Sequence, residues 1–328
     1  ILGPGMITAN AGNDAGGIAT FASVGADFGY SLLWILIPIT ISLGIVQEMC
    51  ARMGAVTGKG LADLIRERFG VRWTALIMLS LLVANAGVTV SEFVGIAAAS
   101  ELFGVSHYIS VPLVAILIWF LIVKGTYKRV ERAFLLMSLV FLGYIVSAFL
   151  SRPDWGAVAV GLVRPEFKFE HAFLFTFVAV IGTTISPYMQ VYVQSSVVEK
   201  GVTPDDYSKT KLDVWFGTIF AIMIVFFIVV STAATLHKAG IQISSAADAA
   251  NALRPLAGRY AQTLFGIGLL GASMLAAGVL PLATAYSISE ALGFEKGVSR
   301  TFREAPIFVG IFTFLIVVGG VVAMLPGV

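Results

Sequence analysis

The chain has 328 residues, of which 58% are hydrophobic and 12% are charged, and its formal net charge is +2. A soluble domain is typically about 25% charged, so this composition excludes an ordinary soluble protein and predicts one embedded in a lipid bilayer. The small net charge and the absence of a basic run give no indication of a nucleic-acid partner. The single cysteine, Cys50, excludes an internal disulfide and a thiolate metal cluster and is expected to serve packing.

Nine segments are apolar over roughly the 20 residues that a helix needs to cross the hydrocarbon core. In chain order, the predicted spans are Gly3–Ser23, Ser31–Cys50, Thr74–Leu102, Tyr108–Val123, Ala133–Leu150, Phe173–Val198, Val214–His237, Tyr260–Leu292 and Ile307–Leu325. The chain is therefore predicted to be an all-α polytopic membrane protein that forms one transmembrane domain over residues 1–328.

The basic residues orient this bundle. If the first span runs outward, the inner connections carry 15 Lys and Arg residues and the outer connections carry 6, which together account for all 21 in the chain. The positive-inside rule then predicts a cytoplasmic N-terminus, and we expect the bacterial inner membrane as the location. Two longer outer segments, Arg152–Glu170 and Lys238–Arg259, are the candidates for structure outside the membrane. The second contains a predicted short helix at 244–253 with Ser245 near its cap.

Two of the spans are interrupted by residues that do not favour a continuous helix. The first contains the polar and glycine-rich stretch Asn10–Gly17, and the sixth contains Gly182–Pro187 with its proline and three hydroxyls. A proline kink alone would explain the second. However, spans one and six are equivalent positions of two five-helix repeats, and paired interruptions of this kind are typical of a transporter's substrate site.

Acidic side chains inside the membrane indicate what this site binds. Asp14 lies in the first interruption and Glu92 in the middle of the third span, where a charge costs at least about 2.5–3.5 kcal/mol. Because no span contains Lys or Arg, a bound cation is the expected partner of Asp14. Glu92 fits a structural hydrogen bond or a proton relay equally well, whereas Glu48 and Glu290 lie near span ends and are expected to face the membrane interface.

Several motifs of the sequence resemble those of the NRAMP family of divalent-metal transporters. They are Gly3-Pro4-Gly5-Met6, Asn13–Gly17, Phe28–Trp34, Ala51–Lys59, Leu61-Ala62 and Ile181–Pro187. The resemblance implies the LeuT-type fold, with two inverted repeats at about residues 1–150 and 170–328 and with broken helices one and six. That fold calls for at least ten helices, so the last helix of the second repeat is expected to be missing from this sequence.

The resemblance also implies positions for the metal ligands. The family's helix-one motif is Asp-Pro-Gly-Asn, and here Asp14 matches its aspartate while Gly17 replaces its asparagine. In helix six, Thr183 stands at the family's alanine and Ser186 at its methionine. The predicted metal site therefore comprises Asp14, Thr183 and Ser186, with Asn13 and Gly17 at the first break.

Other departures from the family pattern concern protons. The two helix-six histidines of the family fall at Tyr188 and Val193, and an aspartate of the third span falls at Thr89, while the glutamate is kept as Glu92. Losing these groups removes candidates for a coupled proton near neutral pH. Exchanging a thioether for hydroxyls favours hard cations such as Mg²⁺ and Mn²⁺. The pattern most resembles the NRAMP-related magnesium transporters.

The sequence accordingly predicts a transporter, not an enzyme, that imports Mg²⁺ or Mn²⁺ by alternating access without proton coupling and without a cofactor. One rival is a proton-coupled Mn²⁺ or Fe²⁺ symporter that uses Glu92. A second is a carrier of amino acids or other organic solutes on the same fold, although Asp14 would repel a substrate carboxylate. A third is a metal sensor that binds without transporting.

Overall fold

The computed structural model describes residues 3–326, and these fold entirely into helices and their connections. We number the α-helices in chain order. They are α1 Pro4–Ala11, α2 Ala15–Phe28, α3 Leu36–Thr57, α4 Leu61–Leu102, α5 His107–Val123, α6 Tyr127–Ser138, α7 Leu142–Leu150, α8 Trp155–Val163, α9 His171–Thr184, α10 Pro187–Glu199, α11 Tyr207–Thr232, α12 Ala246–Ala257, α13 Arg259–Leu292 and α14 Pro306–Ala323. The predicted domain covers residues 1–328, and its residues 1–2 and 327–328 lie outside the described range. The last helix of the second repeat, which is expected to be missing from this sequence, also lies outside it.

The predicted membrane spans are confirmed as helical segments. Seven helical stretches within residues 3–326 are long and apolar enough to cross a membrane, and the 17-residue α5 is a shorter apolar helix. The remaining predicted span is the first, which is divided into α1 and α2. Large apolar side chains face outward at helical spacing on α3, where Ile37, Ile41 and Ile45 are 48%, 51% and 48% exposed. Such an exposed apolar stripe suits contact with lipid, and the chain is an integral membrane protein.

Both predicted interruptions are real breaks in the helices. The first span stops at Ala11 and resumes at Ala15, and the sixth stops at Thr184 and resumes at Pro187. A proline kink in a continuous helix is therefore the wrong description of the sixth span, because Ser186 adopts an extended conformation with ψ 139°.

Helix α1 packs tightly against α11 because glycines line the contact. A Cβ atom placed at Gly5 would lie 2.5 Å from the Cα atom of Val214, and one at Gly217 would lie 2.6 Å from the Cα atom of Met6. Small residues let helix backbones approach closely inside a membrane. The half-helix α1 is thus held along its length by α11.

Two expectations about the third and eighth spans are wrong. Helix α4 begins at Leu61, before the predicted Thr74, so Arg66 and Arg68 lie on a helix and not in a loop, and the helix is interrupted at Gly70 with φ 78°. The part of α4 after this interruption, residues 71–102, extends about 48 Å at 1.5 Å per residue, which is longer than the membrane core. Glu290 was expected at the membrane interface, but it is 1% exposed. It is buried because neighbouring helices supply it with hydrogen-bond partners, described below.

The predicted short helix after Lys238 is confirmed as α12. Ser245 is its N-cap, and the Ser245 hydroxyl accepts a hydrogen bond from the Asp248 backbone N–H at 3.1 Å. Hydrogen bonds from the Ser245 and Ser244 hydroxyls hold the pKa of the Asp248 carboxyl below its ordinary value.

The N-terminus of α1 is capped by a carboxylate from a distant part of the chain. Asp213 of α11 accepts hydrogen bonds from the backbone N–H groups of Gly3, Gly5 and Met6 at 2.8, 2.7 and 3.3 Å. A helix begins with four N–H groups that have no partner within the helix, and at α1 no side chain of its own cap supplies one. Asp213 therefore fixes the start of α1 to α11.

We predict that Asp213→Ala destabilises the folded protein by about 2 kcal/mol, because hydrogen bonds to a charged acceptor contribute roughly 1.5–3 kcal/mol. The change should appear as a lower midpoint of thermal unfolding in detergent. Asp206→Ala is the matched control, since its side chain is 56% exposed and pairs with Lys209 within one helical turn. An equal effect of both substitutions would contradict the capping role.

Candidate metal site

The first break places a buried carboxylate at the start of a half-helix. Asp14 is the N-cap of α2 and is 6% exposed, and its Oδ1 atom accepts a hydrogen bond from the Gly17 N–H at 2.7 Å. Aspartate favours this position because its side chain satisfies a free N–H of the first helical turn. The position of the carboxylate is thus set by the local backbone.

The second break presents two hydroxyl side chains, those of Thr183 and Ser186. Ser186 is the N-cap of α10, and Pro187 occupies the first helical position, where its missing N–H costs nothing. The Ser186 hydroxyl donates to the Thr183 carbonyl at 3.1 Å, across the gap between α9 and α10. Both predicted residues of helix six therefore lie at the break itself.

The two breaks meet at Gly17. A Cβ atom placed at Gly17 would lie 3.1 Å from Asp14 Oδ1 and 3.5 Å from Thr183 Oγ1. The Gly12 carbonyl oxygen lies 3.0 Å from the same point, so three oxygen atoms surround a place that the side chain of any other residue would occupy. The structure thus brings together Asp14, Gly17 and Thr183, with Ser186 joined to Thr183 through a hydrogen bond.

Asn13 makes a different contact. Its Nδ2 atom donates to the Ala221 carbonyl of α11 at 3.0 Å, and the residue is 3% exposed. This bond ties the first break to α11 and gives Asn13 a structural role there. Its predicted place among the ligands remains a prediction.

Glu92 approaches the first break from α4. It is fully buried, and its Oε2 atom accepts a hydrogen bond from the Ala15 N–H at 3.1 Å. Its Oε1 atom has no hydrogen-bond partner among residues 3–326. Within the same range, neither Asp14 nor Glu92 forms an ion pair with a basic side chain.

Two residues of α10 at this site were not predicted from the sequence. The Tyr188 hydroxyl donates to the Ala11 carbonyl at 2.8 Å and lies 3.5 Å from Asp14 Oδ2. The Met189 Sδ atom lies 2.9 Å from the point that a Cβ atom of Gly12 would occupy. The resemblance places Tyr188 at a helix-six histidine of the family, which is a signal for that residue, but nothing in the sequence shows that Met189 faces the first break.

The arrangement suits a cation bound mainly through oxygen atoms. Carboxylate, hydroxyl and carbonyl oxygens lie around Gly17, and a thioether lies beside the same break. Among the described residues, no group of three or more His, Cys, Asp and Glu side chains is placed to hold a metal. Any ion here would therefore rely on Asp14, hydroxyls, backbone carbonyls and water.

The architecture defines a class of protein: a membrane transporter of the LeuT type, with two broken helices whose breaks adjoin. Solved structures support this fold. A manganese transporter from Eremococcus coleocola superposes with a TM-score of 0.77 at 18% identity, covering 96% of this chain and 69% of that one. A Na⁺-coupled sialic acid symporter superposes with a TM-score of 0.57 at 11% identity, covering 96% of this chain and 74% of that one.

Sequence comparison identifies the family. The family model of Nramp, described as natural resistance-associated macrophage protein-like, matches residues 5–328. The divalent metal cation transporter MntH of Yersinia pestis is 30% identical over 284 residues, which are 84% of this chain and 68% of that protein. MntH of Yersinia enterocolitica is likewise 30% identical over 284 residues. This chain belongs to the Nramp family.

We predict that Gly17→Ala lowers the affinity for a divalent cation about tenfold, because the added methyl group fills the space between Asp14 and Thr183. Gly16→Ala is the matched control on the same turn, since a Cβ atom there would lie 3.6 Å from Asp14 Oδ1, an ordinary contact distance. Calorimetric titration with Mg²⁺ and Mn²⁺ measures both variants. Equal affinities for the two variants would show that the cation does not bind between Asp14 and Thr183.

Proposed function

We propose that this protein imports hard divalent cations, with Mg²⁺ preferred over Mn²⁺, by alternating access at the junction of the two breaks. The observation that carries the proposal is the buried carboxylate of Asp14, which faces the Thr183 hydroxyl across Gly17 and forms no ion pair with a basic residue among residues 3–326. A charge inside a membrane needs a partner. A transported cation is the partner that a member of this family would supply.

The preference for a hard ion follows from the ligand atoms. Carboxylate, hydroxyl, carbonyl and water oxygens suit Mg²⁺ and Mn²⁺, whereas thioethers suit softer metals. Mg²⁺ usually keeps several waters and binds through one or two carboxylates. The single carboxylate of Asp14, with hydroxyl and carbonyl oxygens around Gly17, fits an ion that keeps part of its hydration shell.

Mn²⁺ is the second candidate because of Met189. Its thioether lies beside Gly12 in the first break, so a soft atom is near the site although Ser186 replaces the family's methionine. The Eremococcus coleocola relative is named a manganese transporter. If Met189 contributes to binding, Met189→Leu will weaken Mn²⁺ binding and leave Mg²⁺ binding unchanged.

The driving force in this proposal is the ion's own gradient together with the membrane potential. A potential of 100 mV contributes about 2.3 kcal/mol per elementary charge, and therefore about twice that for a divalent ion. We place the N-terminus in the cytoplasm and the protein in a bacterial inner membrane, in keeping with the distribution of Lys and Arg in the sequence.

We predict that Asp14→Asn reduces Mg²⁺ flux into proteoliposomes at least a hundredfold, because the ion loses its charged ligand. Asp27→Asn serves as the matched control on the same helix, since Asp27 is exposed at the far end of α2. Flux is followed with a Mg²⁺-sensitive dye inside the vesicles. Equal flux in Asp14→Asn and the parent would exclude the proposed site.

Proton coupling is the principal rival, with Glu92 as the proton carrier. We predict that Mg²⁺ entry leaves the internal pH of the vesicles unchanged, because the family's other titratable positions are Thr89, Tyr188 and Val193 here. A pH-sensitive dye in the same vesicles tests this. Acidification that follows metal entry and disappears in Glu92→Gln would establish the rival.

An organic-solute carrier on this fold is less well supported. A half-helix N-terminus can bind a substrate carboxylate, but here the N-terminus of α2 is already occupied by the Asp14 carboxylate. Competition by amino acids for Mg²⁺ flux would reveal such a substrate.

A further inference from the structure

A buried cluster of polar groups lies away from the metal site, at the end of the bundle where α1 begins. It consists of Gly60, Asp63, Ser195, Glu290 and Lys296, and we call it the Glu290 cluster. It joins three parts of the chain: the start of α4, the C-terminal part of α10, and α13 with the segment that follows it. Its central residue, Glu290, has a side chain with 0% exposure.

Hydrogen bonds converge on Glu290 from two helices. The Ser195 hydroxyl of α10 donates to Glu290 Oε1 at 2.7 Å, and the Ala62 N–H of α4 donates to Glu290 Oε2 at 3.3 Å. Beside these bonds, the Gln194 Nε2 atom of α10 donates to the Lys59 carbonyl at 2.9 Å. Helix α10 is therefore attached to both α13 and the segment between α3 and α4.

Lys296 supplies the counter-charge. Its Nζ atom lies 2.7 Å from Asp63 Oδ2 and 3.3 Å from Glu290 Oε1, so one ammonium group bridges two carboxylates. The Lys296 side chain is 25% exposed. Because it lies in the connection after α13 and reaches solvent, it can leave the pair without unfolding a helix.

The backbone of Gly60 leaves room for the Glu290 carboxyl group. A Cβ atom at Gly60 would overlap all three terminal atoms of Glu290. Gly60 has φ −71° and ψ 165°, a conformation that any residue adopts. The glycine is therefore required here by the close approach of Glu290 and not by its backbone conformation.

The cluster is mechanically connected to the metal site through α10. Ser186 at the break and Ser195 in the cluster are nine residues apart on this helix, a distance of about 13 Å at 1.5 Å per residue. Tyr188 and Met189, which contact the first break, lie between them. A displacement of α10 at one end therefore moves groups at the other.

We propose that the Glu290 cluster is a lock that holds α10 against α4 and α13 and so closes the path from the broken helices to this face of the membrane. Opening requires α10 to part from the cluster, which breaks the bonds from Ser195 and Gln194 while Lys296 moves into solvent. The proposal does not depend on which cation is carried. If the cluster had only a structural role, the bonds from Ser195 and Gln194 would stay intact when the protein opens.

The native cysteine offers a direct test in the full chain. Cys50 is 6% exposed on α3 and packs in a cluster with Val193 and Val197 of α10. A second reporter is Ala291→Cys in a Cys50→Ser background. Ala291 is on α13 and packs in a cluster with Ala62 and Met78 of α4. The alkylation rate by a polar maleimide, measured in detergent where both faces are accessible, reports how often each contact opens.

Three variants weaken the lock by different means. Ser195→Ala removes one hydrogen bond to the carboxylate, and Gly60→Ala displaces the carboxylate sterically. Glu290→Gln combined with Lys296→Gln removes the buried charge together with its ammonium partner, while Asp63 keeps Arg66 at 3.8 Å. Removing a hydrogen bond to a charged group shifts an opening equilibrium by about tenfold or more. We therefore expect alkylation at one or both reporters to become about tenfold faster or more in each variant.

Matched controls separate the lock from a general loosening. Ser289→Ala removes a buried hydroxyl next to Glu290 that has no partner among the described residues. Lys209→Gln combined with Asp206→Asn removes an exposed ion pair. Both are expected to react at the parental rate. Alkylation at the parental rate at both reporters, in every lock variant that folds, would overturn the proposal. Ser195→Ala deletes only a single oxygen atom, so this outcome can be measured even if the other variants fail to fold.

Discussion

The structure depends on one constraint: a helix that breaks inside a bilayer leaves backbone groups that no lipid can satisfy. In this protein, neighbouring helices and the aspartate of the break itself satisfy them. The Ala11 carbonyl accepts from Tyr188 of α10, the Ala15 N–H donates to Glu92 of α4, and the Gly17 N–H donates to Asp14. The first break is therefore held by the same helices that carry the second break and the buried acid. The packing of the bundle therefore determines the shape of the first break.

This constraint also determines the electrostatics of the site. Asp14 and Glu92 satisfy N–H groups in the first turn of α2, so two acidic side chains are drawn to one buried region. Neither forms an ion pair with a basic side chain in the part of the chain that the structure describes. The two carboxylates satisfy backbone N–H groups of the break but have no basic side chain among the described residues to balance their charge. Such a region is suited to reversible binding of a cation.

Much of this fold could be predicted from the sequence because the bilayer imposes long apolar spans and makes each exception conspicuous. Asp14, Thr183 and the two breaks are exceptions of that kind. Tyr188 and Met189 are ordinary residues of an apolar helix, and only the rotation of α10 shows that they face the first break. Glu290 was placed at the interface because its position near a span end fits a solvated acid. The groups that donate hydrogen bonds to it, the Ser195 hydroxyl and the Ala62 N–H, are 95 and 228 residues away in the chain.

Helix α10 relates these findings to one another. Its first residues form the second break, its next turn contacts the first break, and its last turns contact Glu290 and the Lys59 carbonyl. Because a helix of 13 residues moves as a rigid unit, the free energy that a cation contributes at the breaks can be transmitted to the cluster at the other end. A cation that reorganised Tyr188 and Met189 would shift the balance between closed and open forms only by its difference in affinity for the two. The bonds of the Glu290 cluster therefore need to be weak enough for binding at the breaks to outweigh them, and a partly exposed lysine that bridges two carboxylates meets that requirement better than a fully buried pair.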